Sequence, residues 1–144
     1  MATLERAIEI AARVHAGQRD KAGEPYILHP LRVMLSLGGK YERMAAILHD
    51  VVEDTPVTLE DLAREGFPPE VLEAVDALTK RDGELRLDAA ARAARNPIAR
   101  AVKLADLKEN MDLSRLPDPT ERDFARLREY EEVRRLLLEG CAEK

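Results

Sequence analysis

The chain has 144 residues, enough for one folded domain of ordinary size. Its 28 acidic and 23 basic residues give a net charge of −5, which counts against a protein that grips nucleic acid through its phosphates. No apolar run is long enough to cross a bilayer, and the N-terminus lacks a signal-peptide core. The single cysteine, Cys141, cannot form an internal disulfide. We therefore expect a soluble, cytoplasmic protein without nucleic-acid or membrane partners.

Apolar residues recur at helical spacing through most of the chain, and no segment shows the alternation typical of a strand. Glycines and prolines separate these periodic segments into individual helices. In chain order, the predicted helices run to about Ala16, from Pro30 to Leu37, Tyr41 to Glu53, Thr58 to Gly66, Pro68 to Leu78, Leu85 to Arg95, Ile98 to Met111 and Thr120 to Leu138. The sequence therefore predicts an all-α fold, a single domain of seven or eight helices over residues 1–144.

The end of the predicted third helix carries a crowded group of ionisable residues. It reads His49-Asp50-Val51-Val52-Glu53-Asp54. Spacings of three and four residues bring the histidine and the three carboxylates to neighbouring parts of one helix side. Burying such a group is costly unless something compensates, and a divalent cation does so. The alternative is a helix end in water whose histidine complements the dipole. The apolar residues just before it favour burial.

Two further segments add candidate metal ligands. His29 lies between apolar residues and a helix-opening proline, and Asp106 follows an apolar helical run. Taken singly, a core histidine and a surface carboxylate remain the ordinary alternatives. Together with His49 and Asp50 they make a set of two nitrogen and two carboxylate donors, which suits Mn²⁺ or Fe²⁺ and leaves positions open for water and substrate. Structural zinc sites rely on cysteine instead.

The order of these motifs resembles a known family. The matching strings are His15-Ala16-Gly17-Gln18, Gly23-Glu24-Pro25-Tyr26-Ile27-Leu28-His29-Pro30, Ala46-Ile47-Leu48-His49-Asp50-Val51-Val52-Glu53-Asp54-Thr55, Ala77-Leu78-Thr79-Lys80 and Val102-Lys103-Leu104-Ala105-Asp106. They resemble the HD superfamily of metal-dependent phosphohydrolases. The resemblance is closer to the hydrolase domain of RelA/SpoT homologues and to the stand-alone small alarmone hydrolases.

The resemblance implies a metal-dependent enzyme with a defined reaction. It implies that one Mn²⁺, or alternatively Fe²⁺, Co²⁺ or Zn²⁺, is held by His29, His49, Asp50 and Asp106. It further implies that Glu53 and Asp54 are the catalytic acids. The expected reaction removes pyrophosphate from the ribose 3′ position of guanosine tetra- or pentaphosphate.

The resemblance also implies a set of substrate contacts. Lys21 and Asn110 would contact the nucleotide, and Tyr26 would border the nucleoside pocket. The family places an arginine immediately before the lysine, but here Asp20 occupies that position and Arg19 precedes it. We therefore include Arg19 among the expected substrate contacts.

Three other interpretations fit parts of the sequence. The departure at Asp20 favours an HD hydrolase that acts on another nucleotide. A non-catalytic HD module would bind a nucleotide without turnover, although such a module is expected to lose metal ligands or the Glu53-Asp54 pair. A purely structural helical protein would bring six polar residues together by chance.

The last helix could pack on its own core or on a second subunit in a homo-oligomer.

Overall fold

A computed structural model describes residues 2–116 and 118–142. Within these ranges the chain forms α-helices with short connections. They are α1 (Leu4–Val14), α2 (Leu28–Leu35), α3 (Lys40–Asp54), α4 (Leu59–Glu65), α5 (Pro69–Leu78), α6 (Arg86–Ala94), α7 (Pro97–Asn110) and α8 (Glu121–Ala142). The described residues contain no strand, only an isolated bridge between Arg19 and Pro25. The predicted all-α fold is confirmed. None of the described helices has the length and apolar content needed to cross a bilayer.

The helix ends differ from the prediction mainly at the last helix. We expected α8 to end near Leu138, but it continues to Ala142. The expected end rested on the last leucine of the apolar stripe, whereas a helix continues through polar residues when its backbone hydrogen bonds are satisfied. The side chain of Cys141 lies outside the described residues.

The central element of the fold is α3. Its residues from Met44 to Val51 are all buried, because α1, α2, α5 and α7 pack around it. The backbone N–H of Gly39 at its start donates to the side chain of Glu42 at 3.1 Å. A helical segment that is apolar on every side belongs inside a globule. The segment of α3 from Met44 to Leu48 is of this kind, and it carries His49 and Asp50 into the interior.

A smaller apolar cluster joins the C-terminal helices. Ala90 of α6, Leu107 of α7, and Val133 and Leu137 of α8 are each at most 2% exposed. The apolar stripe of α8 therefore packs against its own chain. This places α8 beside α6 and α7, over the region where α7 carries Asp106.

The segment between α1 and α2 is a tight loop. The backbone N–H of Asp20 donates to the Glu24 carbonyl at 2.9 Å, and that of Tyr26 donates to the Gln18 carbonyl at 2.8 Å. Gly23 has a φ of 85°, a conformation that side-chain-bearing residues rarely adopt. The loop thereby directs Tyr26 and the start of α2 towards α3.

An ion pair between α1 and the end of α4 gives a pH-dependent contribution to stability. Arg6 donates from Nε and Nη2 to the two carboxylate oxygens of Glu65, both at 2.9 Å. These hydrogen bonds lower the pKa of Glu65. The stabilisation is therefore fully present above the ordinary glutamate pKa of about 4.3, and it is lost as the pH falls through the lowered pKa of the folded state.

We expect Glu65→Gln to destabilise the protein at neutral pH and to lose this effect in acid. The measurement is the free energy of unfolding by denaturant, for both proteins, over a pH series. Glu73→Gln is the matched control, since Glu73 is exposed on α5 and makes no ion pair with the described residues. A difference between Glu65→Gln and the unmodified protein that stays constant into acid would contradict the expectation.

Candidate active site

Four ionisable side chains are buried side by side where α2, α3 and α7 meet. His29, His49, Asp50 and Asp106 are 6%, 5%, 9% and 7% exposed. Nε2 of His29 lies 2.7 Å from Oδ1 of Asp106, and Nε2 of His49 lies 3.2 Å from Oδ1 of Asp50. Residues 77 positions apart are thus in direct contact. The structure brings the four predicted metal-ligand residues into one buried cluster.

Opposite charges in this cluster shift the pKa values of its members towards their ionised forms. Burial alone would raise the pKa of Asp106, but the hydrogen bond to His29 and the charges of His49 and Lys103 outweigh it, and the pKa is lowered. Burial alone would lower the pKa of His49, but the carboxylates of Asp50 and Asp106 outweigh it and raise it. The neighbouring charges therefore favour the carboxylate form of Asp106 and the imidazolium form of His49.

A second layer of side chains orients this cluster. The hydroxyl of Tyr26 donates to Oδ2 of Asp50 at 2.8 Å, and Nδ2 of Asn110 donates to Oδ2 of Asp106 at 3.4 Å. Nδ1 of His49 donates to the carbonyl of Ala46 at 3.0 Å, which turns Nε2 towards the cluster. Burial and the charge of Asp50 raise the pKa of Tyr26, so its hydroxyl remains a donor. Such hydrogen bonds are typical of the outer shell of metal sites.

A pocket of about 380 Å³ opens beside the cluster. Most of the predicted site residues line it. These are Arg19, Lys21, Tyr26, His29, Asp50, Asp106 and Asn110. The volume lies within the range of about 300–1,000 Å³ that is usual for small-molecule sites. The pocket therefore fits a ligand of nucleotide size next to the buried cluster.

The model of the HD domain family matches residues 7–108 of this chain. The chain belongs to the HD domain family. The HD domain matched here contains all four cluster residues and both predicted acids. The predicted family resemblance is confirmed.

Curated relatives of this HD domain are much longer proteins. The GTP pyrophosphokinase of Streptomyces coelicolor is 42% identical over 122 residues, which are 75% of this chain and 14% of that protein. The guanosine-3′,5′-bis(diphosphate) 3′-pyrophosphohydrolase of Borreliella burgdorferi is 42% identical over 83 residues, which are 54% of this chain and 12% of that protein. The chain thus spans about one eighth of the length of these two relatives.

A solved structure matches nearly the whole HD domain. It comes from a study of a metazoan orthologue of SpoT that hydrolyses ppGpp and plays a role in starvation responses. It aligns with 97% of this chain and 85% of that chain, with a TM-score of 0.74 and 26% sequence identity. These comparisons support the predicted enzyme class, a metal-dependent hydrolase.

The two predicted catalytic acids lie on different sides of the exposed end of α3. Glu53 lines a second, smaller pocket, whereas Asp54 lines neither pocket. Partial loss of hydration, with the charges of Asp50 and Asp54, raises the pKa of Glu53 although His49 opposes the shift. Partial loss of hydration and the charge of Asp50 likewise raise the pKa of Asp54. A carboxyl group with a raised pKa is suited to proton transfer.

The departure at Asp20 has a structural consequence. Oδ1 of Asp20 accepts from the backbone N–H groups of Ala22 at 2.9 Å and Glu24 at 3.0 Å, and Oδ2 lies 4.0 Å from Nη2 of Arg32. Nη1 of Arg19 donates to the carbonyl of Gly23 at 2.9 Å. Both side chains line the larger pocket while stabilising the loop that forms its wall.

The sequence analysis missed the contribution of α8 to this pocket. Asp123, Arg126 and Tyr130 of α8 line it, as do Leu113 and Leu116 of the connection before α8. The sequence analysis treats the last helix only as a packing element. Arg126 and Tyr130 are four residues apart and so share a helix face, but that spacing does not indicate what the face covers.

The donor set of the cluster fits a divalent cation. Two imidazoles and two carboxylates suit Mn²⁺, Fe²⁺ and similar ions, and hydrogen bonds from Tyr26, Asn110 and His49 already orient them. Among the described residues, no three His, Cys, Asp or Glu side chains are arranged as a ready-made ligand group, and the imidazoles and carboxylates of the cluster contact each other in pairs. His29, His49, Asp50 and Asp106 are the residues that would hold such a cation.

Proposed function

We propose that this chain is a metal-dependent hydrolase that removes pyrophosphate from the ribose 3′ position of guanosine tetra- or pentaphosphate. The observation that carries the proposal is the buried cluster of His29, His49, Asp50 and Asp106 at the wall of a nucleotide-sized pocket. Relatives named as guanosine-3′,5′-bis(diphosphate) 3′-pyrophosphohydrolases support this substrate.

In this proposal His29, His49, Asp50 and Asp106 hold one Mn²⁺, with Fe²⁺, Co²⁺ or Zn²⁺ as alternatives. A divalent metal in such a site supplies Lewis acidity and lowers the pKa of water to near neutrality. Tyr26 and Asn110 keep the Asp50 and Asp106 carboxylates in position through the hydrogen bonds at 2.8 Å and 3.4 Å.

The remaining side chains have two roles in this proposal, proton transfer and binding of the nucleotide. Glu53 and Asp54, whose pKa values are raised, position the attacking water and take up its proton. Arg19 and Lys21 contact the nucleotide from the loop, and Arg126 and Tyr130 contact it from α8. The cationic groups offset the negative charge of the phosphates.

The test of this function is direct. The chain is purified with Mn²⁺, and release of pyrophosphate from guanosine tetraphosphate is measured before and after chelation of the metal. We expect turnover that chelation abolishes and that fresh Mn²⁺ restores. Metal retained without turnover would refute the alarmone assignment.

One observation favours a second candidate substrate. Asp20 stands where the family places an arginine, and its carboxylate lines the pocket while bonding to its own loop. A pocket wall that carries Asp20 in place of an arginine would suit hydrolysis of another phosphorylated nucleotide. A panel of guanine, adenine and pyrimidine nucleotides under the same conditions separates the two candidates, since faster turnover of a nucleotide other than the alarmone favours the second.

The hydrogen bond from Tyr26 to Asp50 provides a sharper test of the cluster. We expect Tyr26→Phe to lower Mn²⁺ affinity or activity by about 10–100-fold, because outer-shell hydrogen bonds orient the ligands. The measurement is metal titration together with the rate of pyrophosphate release. Tyr41→Phe is the matched control, since Tyr41 is partly buried in α3 outside both pockets. Equal metal affinity and rate in both variants would show that Asp50 needs no such orientation.

A further inference from the structure

The imidazole of His15 is buried near the candidate site, and one of its ring nitrogens has no hydrogen-bond partner. His15 directly follows α1 and is 2% exposed. Its Nε2 is shielded from solvent and makes no hydrogen bond with the described residues. A buried polar atom without a partner costs free energy, and native proteins contain few of them. An apolar ring would pack here without that cost, so the nitrogen indicates a role other than packing.

Neighbouring groups determine which ring nitrogen of His15 carries the proton. The side-chain amide of Gln18 donates to the carbonyl of Val14 at 3.4 Å, so its Oε1 is the atom that lies 3.0 Å from Nδ1 of His15. An amide oxygen only accepts, and Nδ1 is therefore the protonated nitrogen of the neutral ring. Nε2 then carries a lone pair whose direction is fixed by the bond at Nδ1. Nε2 of His15 is thus a hydrogen-bond acceptor in a fixed position.

Tyr26 connects the ring of His15 to the buried cluster. The ring centroid of Tyr26 lies 5.1 Å from that of His15, and the Tyr26 hydroxyl donates to Oδ2 of Asp50 at 2.8 Å. Asp54 follows Asp50 by four residues in α3, which places both on the same side of that helix. The helices α1 and α3 also pack against each other. The end of α1 that carries His15 is therefore close to the end of α3 that carries Asp54.

Electrostatic effects distinguish the two acids at the end of α3. Burial and the charge of Asp50 raise the pKa of Asp54, and a positive charge on His15 opposes this rise. The raised pKa of Glu53 is due first to burial and is opposed by a different histidine, His49. Glu53 also lines the second pocket, which Asp54 does not. Asp54 thus lies within electrostatic range of His15, whereas Glu53 lies on the side of the second pocket.

We propose that His15 is a positioning residue for Asp54, and that its Nε2 accepts a hydrogen bond from the Asp54 carboxyl group when that group is protonated. The proposal rests on the hydrolase function proposed above. The Asp54 carboxylate takes a proton from the attacking water and passes it to the ribose 3′ oxygen as the bond between that oxygen and phosphorus breaks. An ionised carboxylate has no proton to donate, which explains why Nε2 lacks a partner before the reaction. Proton uptake is thereby assigned to Asp54, and positioning of the water to Glu53.

The first test observes the ring nitrogens of the three histidines by NMR of the isotopically labelled, metal-free full chain. The signals lost in His15→Gln identify the ring of His15, and we expect its proton on Nδ1. Asp54→Asn provides a permanent amide donor and is expected to shift the Nε2 signal. Glu53→Gln is the matched control and is expected to leave that signal in place. A proton on Nε2, an unchanged signal in Asp54→Asn, or equal shifts in both variants would overturn the proposal.

The second test measures the rate of pyrophosphate release. His15→Phe keeps a ring against Tyr26 but lacks the acceptor, and we expect its kcat to fall about tenfold, the effect of one well-placed hydrogen bond. KM and Mn²⁺ affinity are expected to stay unchanged, because His15 lines neither pocket. His15→Gln returns an acceptor and is expected to recover part of the loss. An unchanged kcat in folded His15→Phe, or a fall in Mn²⁺ affinity that accounts for the lost rate, would contradict the proposed role.

A double variant tests whether His15 acts through Asp54. A residue that works only through a second one has no effect once the second is replaced. We therefore expect His15→Phe to lower the rate in the unmodified chain but not in Asp54→Asn, and an equal loss in both backgrounds would overturn the proposal. If His15→Phe does not fold, as judged by circular dichroism, the NMR comparison decides. A shifted Nε2 signal in a chain that does not hydrolyse guanosine tetraphosphate would refute the proposed function and leave the pairing of His15 with Asp54 standing.

Discussion

Replacing Asp106 by alanine is expected to abolish stable binding of Mn²⁺ and to lower hydrolysis of guanosine tetraphosphate by more than about 100-fold. The loss of an outer-shell partner already costs about 10–100-fold in such sites, and Asp106 is proposed as a direct ligand. Its carboxylate also contacts Nε2 of His29 at 2.7 Å and accepts from Nδ2 of Asn110 at 3.4 Å. The change therefore also removes the contacts that orient the side chains of His29 and Asn110. The measurements are metal content after dialysis and the rate of pyrophosphate release.

Folding must be separated from chemistry in this variant. Removing the carboxylate leaves buried Nε2 of His29 without its partner, which costs about 1–3 kcal/mol of stability. Asp106→Asn keeps the shape of the side chain and is compared by circular dichroism and thermal unfolding. Asp88→Ala, an exposed position on α6, is the matched control and is expected to keep metal and activity. Full Mn²⁺ retention by a folded Asp106→Ala protein would exclude Asp106 as a ligand.

Replacing Leu48 by alanine is expected to destabilise the fold by about 2–5 kcal/mol, the usual cost of this change in a core. Leu48 is 0% exposed in the middle of α3, where α1, α2, α5 and α7 surround the helix. The next two residues along the chain are His49 and Asp50. Loss of packing at this point therefore also loosens the helix that presents them to the pocket.

The measurement is the free energy of unfolding from denaturant titration followed by circular dichroism. Leu35→Ala is the matched control, because Leu35 is 69% exposed in α2. It is expected to change stability by less than about 0.5 kcal/mol, as surface substitutions usually do. Similar losses in the two variants would mean that α3 is not the centre of the core.

Much of the local structure could be predicted because its causes lie within a few residues. The side chain of Thr58 accepts from the backbone of Asp61 at 3.1 Å, and the Asp61 side chain accepts from the backbone of Thr58 at 3.0 Å. This reciprocal pair is a capping box, and it starts α4 where the helix from Thr58 to Gly66 was predicted. Glycines, prolines and apolar periodicity act over the same short range, which explains the agreement in helix order.

The burial of His49 and Asp50 was also accessible from the sequence. The residues before them are apolar on every side of the helix, and such a helix must lie inside. The direct contact of His29 with Asp106 is different, since it joins positions 77 residues apart. Only the family resemblance linked them in advance, because local spacing does not set the distance between α2 and α7.

The packing of α8 against the other helices determines which residues complete the larger pocket. Its i, i+4 spacing placed Arg126 and Tyr130 on one face, but the partner of that face depends on the cluster of Val133 and Leu137 with α6 and α7. In the same way, α3 could be predicted to end in two acids, whereas the pocket that Glu53 lines is formed by neighbouring helices. Helix formation follows from hydrogen bonds and side chains within one or two turns. The shape of a pocket follows from contacts between helices far apart in the chain.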